Sequence, residues 1–325
     1  MSIFVKIKVM ETAIAKTTQL KRFKIKKSEK LARHTSFGLG GPAKYFATVG
    51  SPQELVTLAK LAKKNKWRFF VLGGGSNTVF ADKGFAGLVV KYDSRRTPTL
   101  AGVRLVADAG CRLSEIITLA IDNGLGGLEY LSGIPGTVGG ALIGNAGAYE
   151  HFIGDLVEWV EIFDGRKIRR LGKSDCRFGY RDSVFKKRNW LVLRVCLELK
   201  KGDKLALHKV ARNLIIVRDN KYNGLLCAGS FFKNVPLSRI SKTSLKKIDP
   251  TKIFNKKVSV GYLIEASGGK GLSAGKVAVA DFHANFLINR GGGTTRDLKK
   301  LAEKIKRLVK QKFGITLEEE VHLLS

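Results

Sequence analysis

The chain has 325 residues, of which 44% are hydrophobic, enough to bury a substantial core and to form two or three domains. Its 59 Lys and Arg residues against 27 Asp and Glu give a formal net charge of +32, which attracts anions of any kind. The basic residues are spread along the whole length, however, and no zinc-finger, RNP or KH signature accompanies them. We therefore expect a solvated basic surface and no specific nucleic-acid partner.

Cysteine and histidine usage argues against both a metal centre and a disulfide framework. The four cysteines are widely spaced without a CxxC pair, and the five histidines are scattered without an HExxH pattern. We predict reduced, mostly buried thiols and no metal site. Lysines interrupt any apolar core near the N-terminus, which argues against a secretory signal and favours a cytoplasmic protein. Residues 1–30 are interpreted as a basic N-terminal extension.

The first α/β unit is predicted over residues 31–92. After a short strand at 44–49, Ser51 as cap, Pro52 at the first helical position and Glu54 two residues later open a helix that lysines close at 63–66. An apolar strand at 69–72 then leads into a glycine turn, and a strand at 87–91 follows.

A second unit is predicted over residues 93–222, and a third domain over residues 223–325. The second begins with a strand at 103–107 and a helix at 112–123, after which Gly124 occupies the place of a C′ glycine. Alternating runs at 157–163 and 190–199 indicate antiparallel strands, and a helix from about 204 to 221 leads onward. In the third domain, residues 295–312 form an amphipathic helix. The fold class is therefore α/β.

Two glycine-rich turns point to a phosphate-bearing ligand. The first is Gly73-Gly74-Gly75-Ser76-Asn77, directly after an apolar strand, and it matches neither the Rossmann nor the P-loop spacing. The second lies within residues 130–149, which contain six glycines and no charge. Such glycine density weakens both helix and strand but lets backbone N–H groups approach an anion. A membrane span is disfavoured there because the stretch is too polar. Two such loops suit one extended dinucleotide held at two points.

In this order the motifs resemble those of the UDP-N-acetylenolpyruvoylglucosamine reductase (MurB) family. They extend from about residue 31 to 321, and the later ones in sequence are the more specific. The motifs are TSFGLGGPA (35–43), GGGSN (73–77), GIPGTVGGA with NAGAY (133–149), FGYRDS (178–183), AGSFFKN (228–234), LIEASGGKG (263–271), HANFLIN (283–289) and FGITLEEEV (313–321).

The resemblance implies a two-part FAD-binding module of the vanillyl-alcohol-oxidase-like type, followed by a substrate-binding α/β domain whose C-terminal tail returns to the flavin. It implies bound FAD, NADPH as co-substrate and a UDP-sugar enolpyruvate as substrate, with no membrane partner; we expect a monomer. The residues that we expect to bind FAD are Gly73, Gly74, Gly75, Ser76, Asn77, Gly133, Ile134, Pro135, Gly136, Thr137, Gly139, Gly140, Asn145, Ala146 and Gly147.

The family reduces an enolpyruvyl ether to a lactyl ether, which requires a proton at the α-carbon and a cation beside the carboxylate. Ser230 matches the family's proton donor, Arg181 its carboxylate-side arginine, and Glu320 its active-site acid. The alternative without a catalytic role is a serine in an ordinary turn for Ser230, a surface salt bridge for Arg181 and a solvated acidic tail for Glu320. The residues that we expect to contact the diphosphate and sugar are Tyr180, Lys233, Asn234, His283 and Asn285. For His283 a structural role is the stronger alternative.

Several positions depart from the family pattern. Residues 221–227 lack the usual proline and the serine beside Ala228, Val235 precedes Pro236, and Glu150 stands where glycine is usual. Two other functions stay open: a different FAD-dependent oxidoreductase of this fold that acts on a small hydroxy acid or sugar, and a non-catalytic flavin- or polyanion-binding relative.

Overall fold

The computed structural model describes residues 23–222 and 224–324, so the predicted N-terminal extension lies largely outside the described residues. The described chain forms two compact units. The first contains residues 23–29, 43–74 and 86–219, and the second contains residues 30–42, 75–85 and those from 220 onward. The three-domain boundaries drawn from the sequence stay a prediction.

The secondary structure is mixed α/β. The α-helices of the described residues are α1 (Pro52–Lys64), α2 (Leu113–Asp122), α3 (Val138–Gly144), α4 (Lys204–Tyr222), α5 (Lys242–Leu245), α6 (Val260–Ala266) and α7 (Thr295–Phe313).

The strands include several of only two or three residues. In chain order they are β1 (Lys26–Lys30), β2 (Pro42–Val49), β3 (Arg68–Leu72), β4 (Thr78–Phe80), β5 (Phe85–Tyr92), β6 (Thr99–Ala101), β7 (Arg104–Asp108), β8 (Leu125–Gly126), β9 (Gly147–Ala148), β10 (His151–Phe152), β11 (Val157–Phe163), β12 (Ile168–Gly172), β13 (Leu191–Glu198), β14 (Lys200–Lys201), β15 (Leu226–Ser230), β16 (Val235–Pro236), β17 (Ile253–Phe254), β18 (Lys257–Val258), β19 (Ser273–Ala274), β20 (Val277–Ala280), β21 (His283–Asn289) and β22 (His322–Leu324).

The first unit contains two sheets that share one hydrophobic core. The first sheet has the order β1-β2-β5-β3, with β3 and β5 parallel. The second has the order β12-β11-β13-β7-β6, and its neighbouring strands are antiparallel. A single cluster of buried side chains extends from the first sheet, through Leu88 and Val90, to the second, through Val160 and Val195. The α/β class and the antiparallel strands predicted at 157–163 and 190–199 are confirmed, and the two strands also pair with each other.

The helix boundaries follow the predicted capping signals. Glu54 N donates to Ser51 Oγ at 3.3 Å, so Ser51 caps α1, and Glu54 Oε2 accepts from the N–H of the preceding residue, Gly50, at 2.8 Å. Gly124, just after α2, has φ +65°, the left-handed conformation that a C′ glycine supplies. These local signals therefore place both helices to within two residues.

The second unit has a sheet of order β15-β21-β20-β19 with α6 and α7 sharing its hydrophobic core. The apolar face of α7 is fully buried at Leu298, Leu301, Ile305 and Val309, as the 3/4 spacing predicts. A short parallel pair joins β22, at the chain end, to β4, just after the GGGSN turn. Across the described residues, no helix combines the length and apolarity needed to cross a membrane.

All four cysteines are buried and free, as predicted. Burial raises the pKa of the Cys176 thiol to about 12. Burial, together with a contact to Glu158, raises the pKa of the Cys196 thiol to about 12 as well. These thiols are therefore neutral in the folded protein at physiological pH.

Candidate active site

In the first unit, the two predicted glycine turns touch each other. A Cβ added to Gly74 would lie 2.7 Å from the Cα of Gly136, and one added to Gly73 would lie 2.3 Å from Thr137 Oγ1. Neither position can carry a side chain without moving the opposite backbone or side chain. The two turns are thus brought together by main-chain packing that glycine alone permits.

The composition of the second glycine stretch predicts a loop throughout, and this prediction is wrong for part of it. Residues Val138–Gly144 form helix α3, which begins at Thr137, whose Oγ1 accepts from Gly140 N at 3.4 Å. Val138, Ala141 and Leu142 are buried, so tertiary packing offsets the low helix propensity of glycine. Glycine at position 139 allows α3 to pack closely against Ala109, because an added Cβ would lie only 2.9 Å from Ala109 Cβ.

Asn145 ends helix α3 and ties three segments of the first unit together. It adopts a left-handed conformation with φ +43°, which asparagine tolerates better than most residues. Its buried amide accepts from Gly154 N at 3.0 Å and donates to Gly179 O at 2.9 Å. Asn145 therefore connects the NAGAY motif to the FGYRDS motif, a supporting role for a residue predicted to bind the cofactor.

Arg181 lies at the tip of the tight turn of residues 179–182, whose Gly179 carbonyl is bonded by Asn145. Gly179 and Asp182 exchange backbone hydrogen bonds of 2.9 and 3.2 Å, which leaves Tyr180 and Arg181 as the two turn residues. Arg181 has φ +52° and donates from one terminal nitrogen to Gly147 O at 3.1 Å. The structure thus places Arg181 against the NAGAY motif.

Arg218 supports the same glycine stretch but was missed from the sequence. It donates to Ser132 O, and to Tyr130 O at 3.4 Å, so it holds the carbonyls that lead into Gly133. A Cβ on Gly133 would lie 3.1 Å from the Arg218 side chain. Arg218 belongs to helix α4, where one arginine among many basic residues gives no sequence signal.

Glu150, a departure from the family pattern, has φ +65°, and its neighbour Tyr149 has φ +52°. These are the two turn residues between β9 and β10, where Ala148 pairs with His151. Two consecutive positive φ values define the hairpin turn that favours asparagine followed by glycine. Glycine at position 150 would relieve backbone strain, which explains the family's preference.

In the second unit, Ser36 of the TSFGLGGPA motif anchors the later part of the GGGSN turn. Ser36 N donates to Gly75 O at 3.1 Å, and its hydroxyl lies 3.3 Å from Ser76 O and 2.7 Å from Cys227 O. Gly75 has φ +68°, and an added Cβ would lie 2.0 Å from His34 O. The motif therefore links this turn to strand β15, which carries Ser230.

Ser230 ends strand β15 at an irregularity in its pairing with β21. Cys227 pairs with Ile288 and Ser230 with Phe286, so the register shifts between them. Gly229 in this bulge has φ +75°, and an added Cβ would meet no atom within 4 Å. Its glycine is required by backbone conformation, not by crowding.

Asn285 fixes the two residues that follow Ser230. Phe231 N donates to Asn285 O at 2.8 Å. The Asn285 side chain accepts from Phe232 N at 2.9 Å and donates to Phe232 O at 2.8 Å. Asn285 is 3% exposed, so its amide serves the backbone of Phe232, and the predicted contact with substrate stays a prediction.

The C-terminal segment runs beside this strand end. Glu320 N donates to Phe231 O at 2.8 Å, and Lys233 N donates to Glu318 O at 2.9 Å. The Asn77 amide donates to Glu320 O at 3.0 Å, while Asn77 O accepts from His322 N at 3.0 Å. One hydrogen-bonded network thus gathers the segment after Ser230, the chain segment of Glu320 and the GGGSN turn.

Ion pairs hold the first two glutamates of LEEEV. Glu318 contacts both Lys233 and Arg239, and the hydrogen bond from Lys233 keeps the pKa of Glu318 below its ordinary value. Glu319 contacts Lys306 on helix α7. The segment is therefore anchored to the unit and is not a solvated acidic tail.

The remaining predicted substrate residues lie around this network. Asn234 is exposed and accepts from Val260 N at 3.1 Å, at the start of α6. His283 Nδ1 accepts from Asn285 N at 3.1 Å, and the His283 ring packs edge-on against Phe286. Val235, the inserted residue before Pro236, is buried in strand β16.

Comparison with known proteins gives the family. A family model described as the C-terminal domain of UDP-N-acetylenolpyruvoylglucosamine reductase matches residues 221–324, and an FAD binding domain model matches residues 43–167. UDP-N-acetylenolpyruvoylglucosamine reductase of Solibacter usitatus is 36% identical over 300 residues, which cover 92% of this chain and 96% of that protein. The chain belongs to the UDP-N-acetylenolpyruvoylglucosamine reductase family.

Other relatives agree with this membership. The reductase of Caldanaerobacter subterraneus subsp. tengcongensis is 37% identical over 308 residues, covering 94% of this chain and 95% of that protein. The crystal structure of the MurB reductase from Thermus caldophilus superimposes with a TM-score of 0.72 at 29% identity, covering 94% of this chain and 99% of that one. The chain is therefore a flavin-dependent reductase of the MurB fold with an FAD-binding domain.

The glycine turns fit the diphosphate of FAD in their chemistry. Residues 73–77 and 133–147 contain no acidic side chain. The contact between Gly74 and Gly136 brings backbone against backbone, with no side chain at either of these two positions. Backbone N–H groups in such a place are suitable partners for phosphate oxygens.

Proposed function

We propose that this protein reduces UDP-N-acetylglucosamine enolpyruvate to UDP-N-acetylmuramate with NADPH, in cytoplasmic peptidoglycan precursor synthesis, acting as a monomer. The observation that carries the proposal is the hydrogen-bonded junction of the AGSFFKN and LEEEV segments, where Glu320 N bonds to Phe231 O. In this junction, the chain segment of Glu320 is hydrogen-bonded to the residue that directly follows Ser230. Family membership supplies the reaction and its substrate class.

FAD, when bound, accepts hydride from NADPH and supplies hydride to the enolpyruvyl β-carbon. Residues 73–77 and 133–147 would hold its diphosphate through backbone N–H groups, with Asn145 fixing the end of the second segment. The packing of Gly74 on Gly136 supports this assignment, because only side-chain-free backbone fits there.

Ser230 would deliver the proton to the α-carbon of the substrate. Serine is a weak acid, so it acts only where the developing negative charge is close and its hydroxyl is held in position. The bulge at Gly229 and the clamp of Asn285 on Phe232 supply that rigidity on either side of Ser230. Positioned proton transfer of this kind contributes about 10²–10⁴-fold to rate.

Arg181 and Glu320 would act on the substrate carboxylate. Negative charge grows on that carboxylate when hydride reaches the β-carbon, so a permanently charged guanidinium stabilises the transition state. Arg181 is already held by Gly147 O, which limits the freedom it loses on binding. Glu320 would lie beside the substrate carboxylate, protonated or hydrogen-bonded there, because a bare carboxylate would repel that charge.

Tyr180, Lys233, Asn234 and His283 would contact the diphosphate and sugar. Lys233 provides the positive charge for the diphosphate, and its ion pair with Glu318 fixes where that charge lies. The turn of residues 179–182 presents Tyr180 next to Arg181. We retain Asn285 in the site as the residue that positions Phe232.

An anaerobic titration of the purified, FAD-loaded protein tests this function. NADPH is added first, then the enolpyruvyl UDP-sugar, while the flavin absorbance is followed. Bleaching by NADPH and recovery on adding the sugar nucleotide are the expected results. A flavin that bleaches but does not recover would favour another oxidoreductase of this fold. A protein that takes up no FAD would favour the non-catalytic, polyanion-binding alternative.

A further inference from the structure

The three consecutive glutamates of the C-terminal segment present a problem of register. Glu318, Glu319 and Glu320 are chemically identical, so their side chains alone do not determine which one lies beside Phe231. In an extended segment, a shift of one residue sends every side chain to the opposite side. The segment therefore needs contacts that distinguish one glutamate from the next.

Lys306 distinguishes Glu319. The Lys306 ammonium contacts the Glu319 carboxylate, with the two side chains 23% and 27% exposed. Although burial acts to lower it, contacts with Glu303 and Glu319 raise the pKa of Lys306, so this lysine is charged at neutral pH. Partial burial limits the solvent screening that weakens exposed pairs.

The helix that carries Lys306 is a rigid support. Leu301, Ile305 and Val309 of α7 are fully or almost fully buried in the core of the second unit. The helix is capped at Thr294 and closed by Gly314 with φ +71°. Lys306 thus projects from a fixed position, and the glutamate that reaches it becomes fixed as well.

We infer that the Lys306–Glu319 pair is a positioning device that sets the register of residues 318–320 and so determines that Glu320 is the glutamate held between Phe231 and Asn77. Glu318 contributes from the neighbouring position, through Lys233 and Arg239. This role rests on the proposed function, because Glu320 is the active-site acid of that proposal. Glu319 and Lys306 are positioning residues that touch neither substrate nor flavin in this account.

The variant Glu319→Gln tests the inference, because it removes the charge while preserving the size of the side chain. Glu303→Gln is a matched control: Glu303 contacts the same lysine at 2.8 Å but lies on α7, outside the C-terminal segment. Two properties are measured in each full-length holoenzyme. One is the rate of each flavin half-reaction by stopped flow, and the other is hydrogen–deuterium exchange of the peptide covering residues 314–324.

In Glu319→Gln we expect reoxidation of reduced flavin by saturating enolpyruvyl UDP-sugar to slow about 10- to 100-fold, as small misplacement of a reacting group does. Reduction by NADPH should change less than about twofold, because Glu320 acts only in the second half-reaction. Exchange across residues 314–324 should become faster. Glu303→Gln should match the wild type in all three measurements.

Lys306→Gln should reproduce the effect of Glu319→Gln, and the double variant should be no slower than either single one, since both remove one interaction. Unchanged reoxidation and unchanged exchange in Glu319→Gln would overturn the inference. Additive effects in the double variant would also overturn it. If the wild type were not reoxidised by the sugar nucleotide, the proposed function would fail, while hydrogen exchange would still test the register separately.

Discussion

The two units fix their functional segments in different ways. In the first unit, Gly74 and Gly136 bring main chain against main chain, and space alone determines the fit. In the second unit, side-chain amides and ion pairs position Phe232 and Glu320, as Asn285 and Asn77 illustrate. Under the proposed function, the segments assigned to FAD should therefore be sensitive to added atoms, and the segments assigned to catalysis to removed hydrogen-bonding groups.

The largest expected effect is on the stability of the second unit. Asn285→Ala leaves the buried N–H and C=O of Phe232 without their side-chain partners. The free energy of unfolding should fall by about 2–6 kcal/mol, since each of the two unsatisfied buried groups costs about 1–3 kcal/mol. Urea denaturation measures this change. The comparison variant Asn234→Ala removes one partly buried hydrogen bond of an exposed side chain and should cost less than about 1 kcal/mol; equal losses would contradict the assignment.

The corresponding test in the first unit adds one atom. Gly74→Ala places a Cβ 2.7 Å from the Cα of Gly136 and forces the two turns apart. Overpacking of this kind costs about 1–3 kcal/mol, so we expect FAD to bind about 10- to 100-fold more weakly. Titration of the apoprotein followed by flavin fluorescence gives the affinity. In Gly144→Ala the added Cβ meets no atom within 4 Å, so its affinity should equal that of the wild type.

Local signals predicted much of the fold. Ser51 and Glu54 predicted the start of α1, and Gly124 predicted the end of α2. The alternation at 157–163 predicted strand β11 at its observed bounds. These features depend on neighbours within a few residues. Helix α3 was missed because its stability comes from the burial of Val138 and Leu142 against the rest of the first unit, not from propensity.

The site was predictable in its residue types but not in its contacts. The motifs indicated Ser230 and Glu320 as site residues, a selection that stays a prediction. The contact of Asn77 with Glu320 joins residues 243 positions apart, and the pairing of Glu319 with Lys306 was equally out of reach of local pattern. Arg218 gave no signal either, since its partners are backbone carbonyls, which every residue has.

Alkaline pH should weaken the first unit through its buried thiols. Cys176 and Cys196 have folded pKa values of about 12 against an ordinary value of 9.0. Both thiols are neutral in both states below pH 9, so their contribution is complete there and is lost as pH rises from 9 towards 12. Between pH 9 and 10 each thiol should reduce the free energy of unfolding by about 1 kcal/mol. Cys196→Ala should make this fall smaller by about 1 kcal/mol in urea denaturation, and an unchanged fall would contradict the burial argument.

The smallest expected effect compares two hairpins with the same strain, one in each unit. Glu150 has φ +65° in the first unit, and Lys256 has φ +58° in the turn between β17 and β18 of the second. Glu150→Gly and Lys256→Gly should each stabilise the protein by about 0.5–1 kcal/mol, because left-handed backbone costs about 1–2 kcal/mol in other residues and glycine adds unfolded-state entropy. Thermal unfolding measures both. A decrease in Tm for either variant would show that its side chain contributes more than the turn strain costs.

The central claim is that the second unit supplies the proton for the second half-reaction, through Ser230. Single-turnover stopped flow of Ser230→Ala, loaded with FAD, tests it most directly. Reduction by NADPH should proceed at the wild-type rate, while reoxidation by the enolpyruvyl UDP-sugar should slow by about 10²–10⁴-fold. Reoxidation at the wild-type rate would show that Ser230 is not the proton donor. An equal slowing of both half-reactions would indicate a general disturbance of the flavin site and would equally contradict the account.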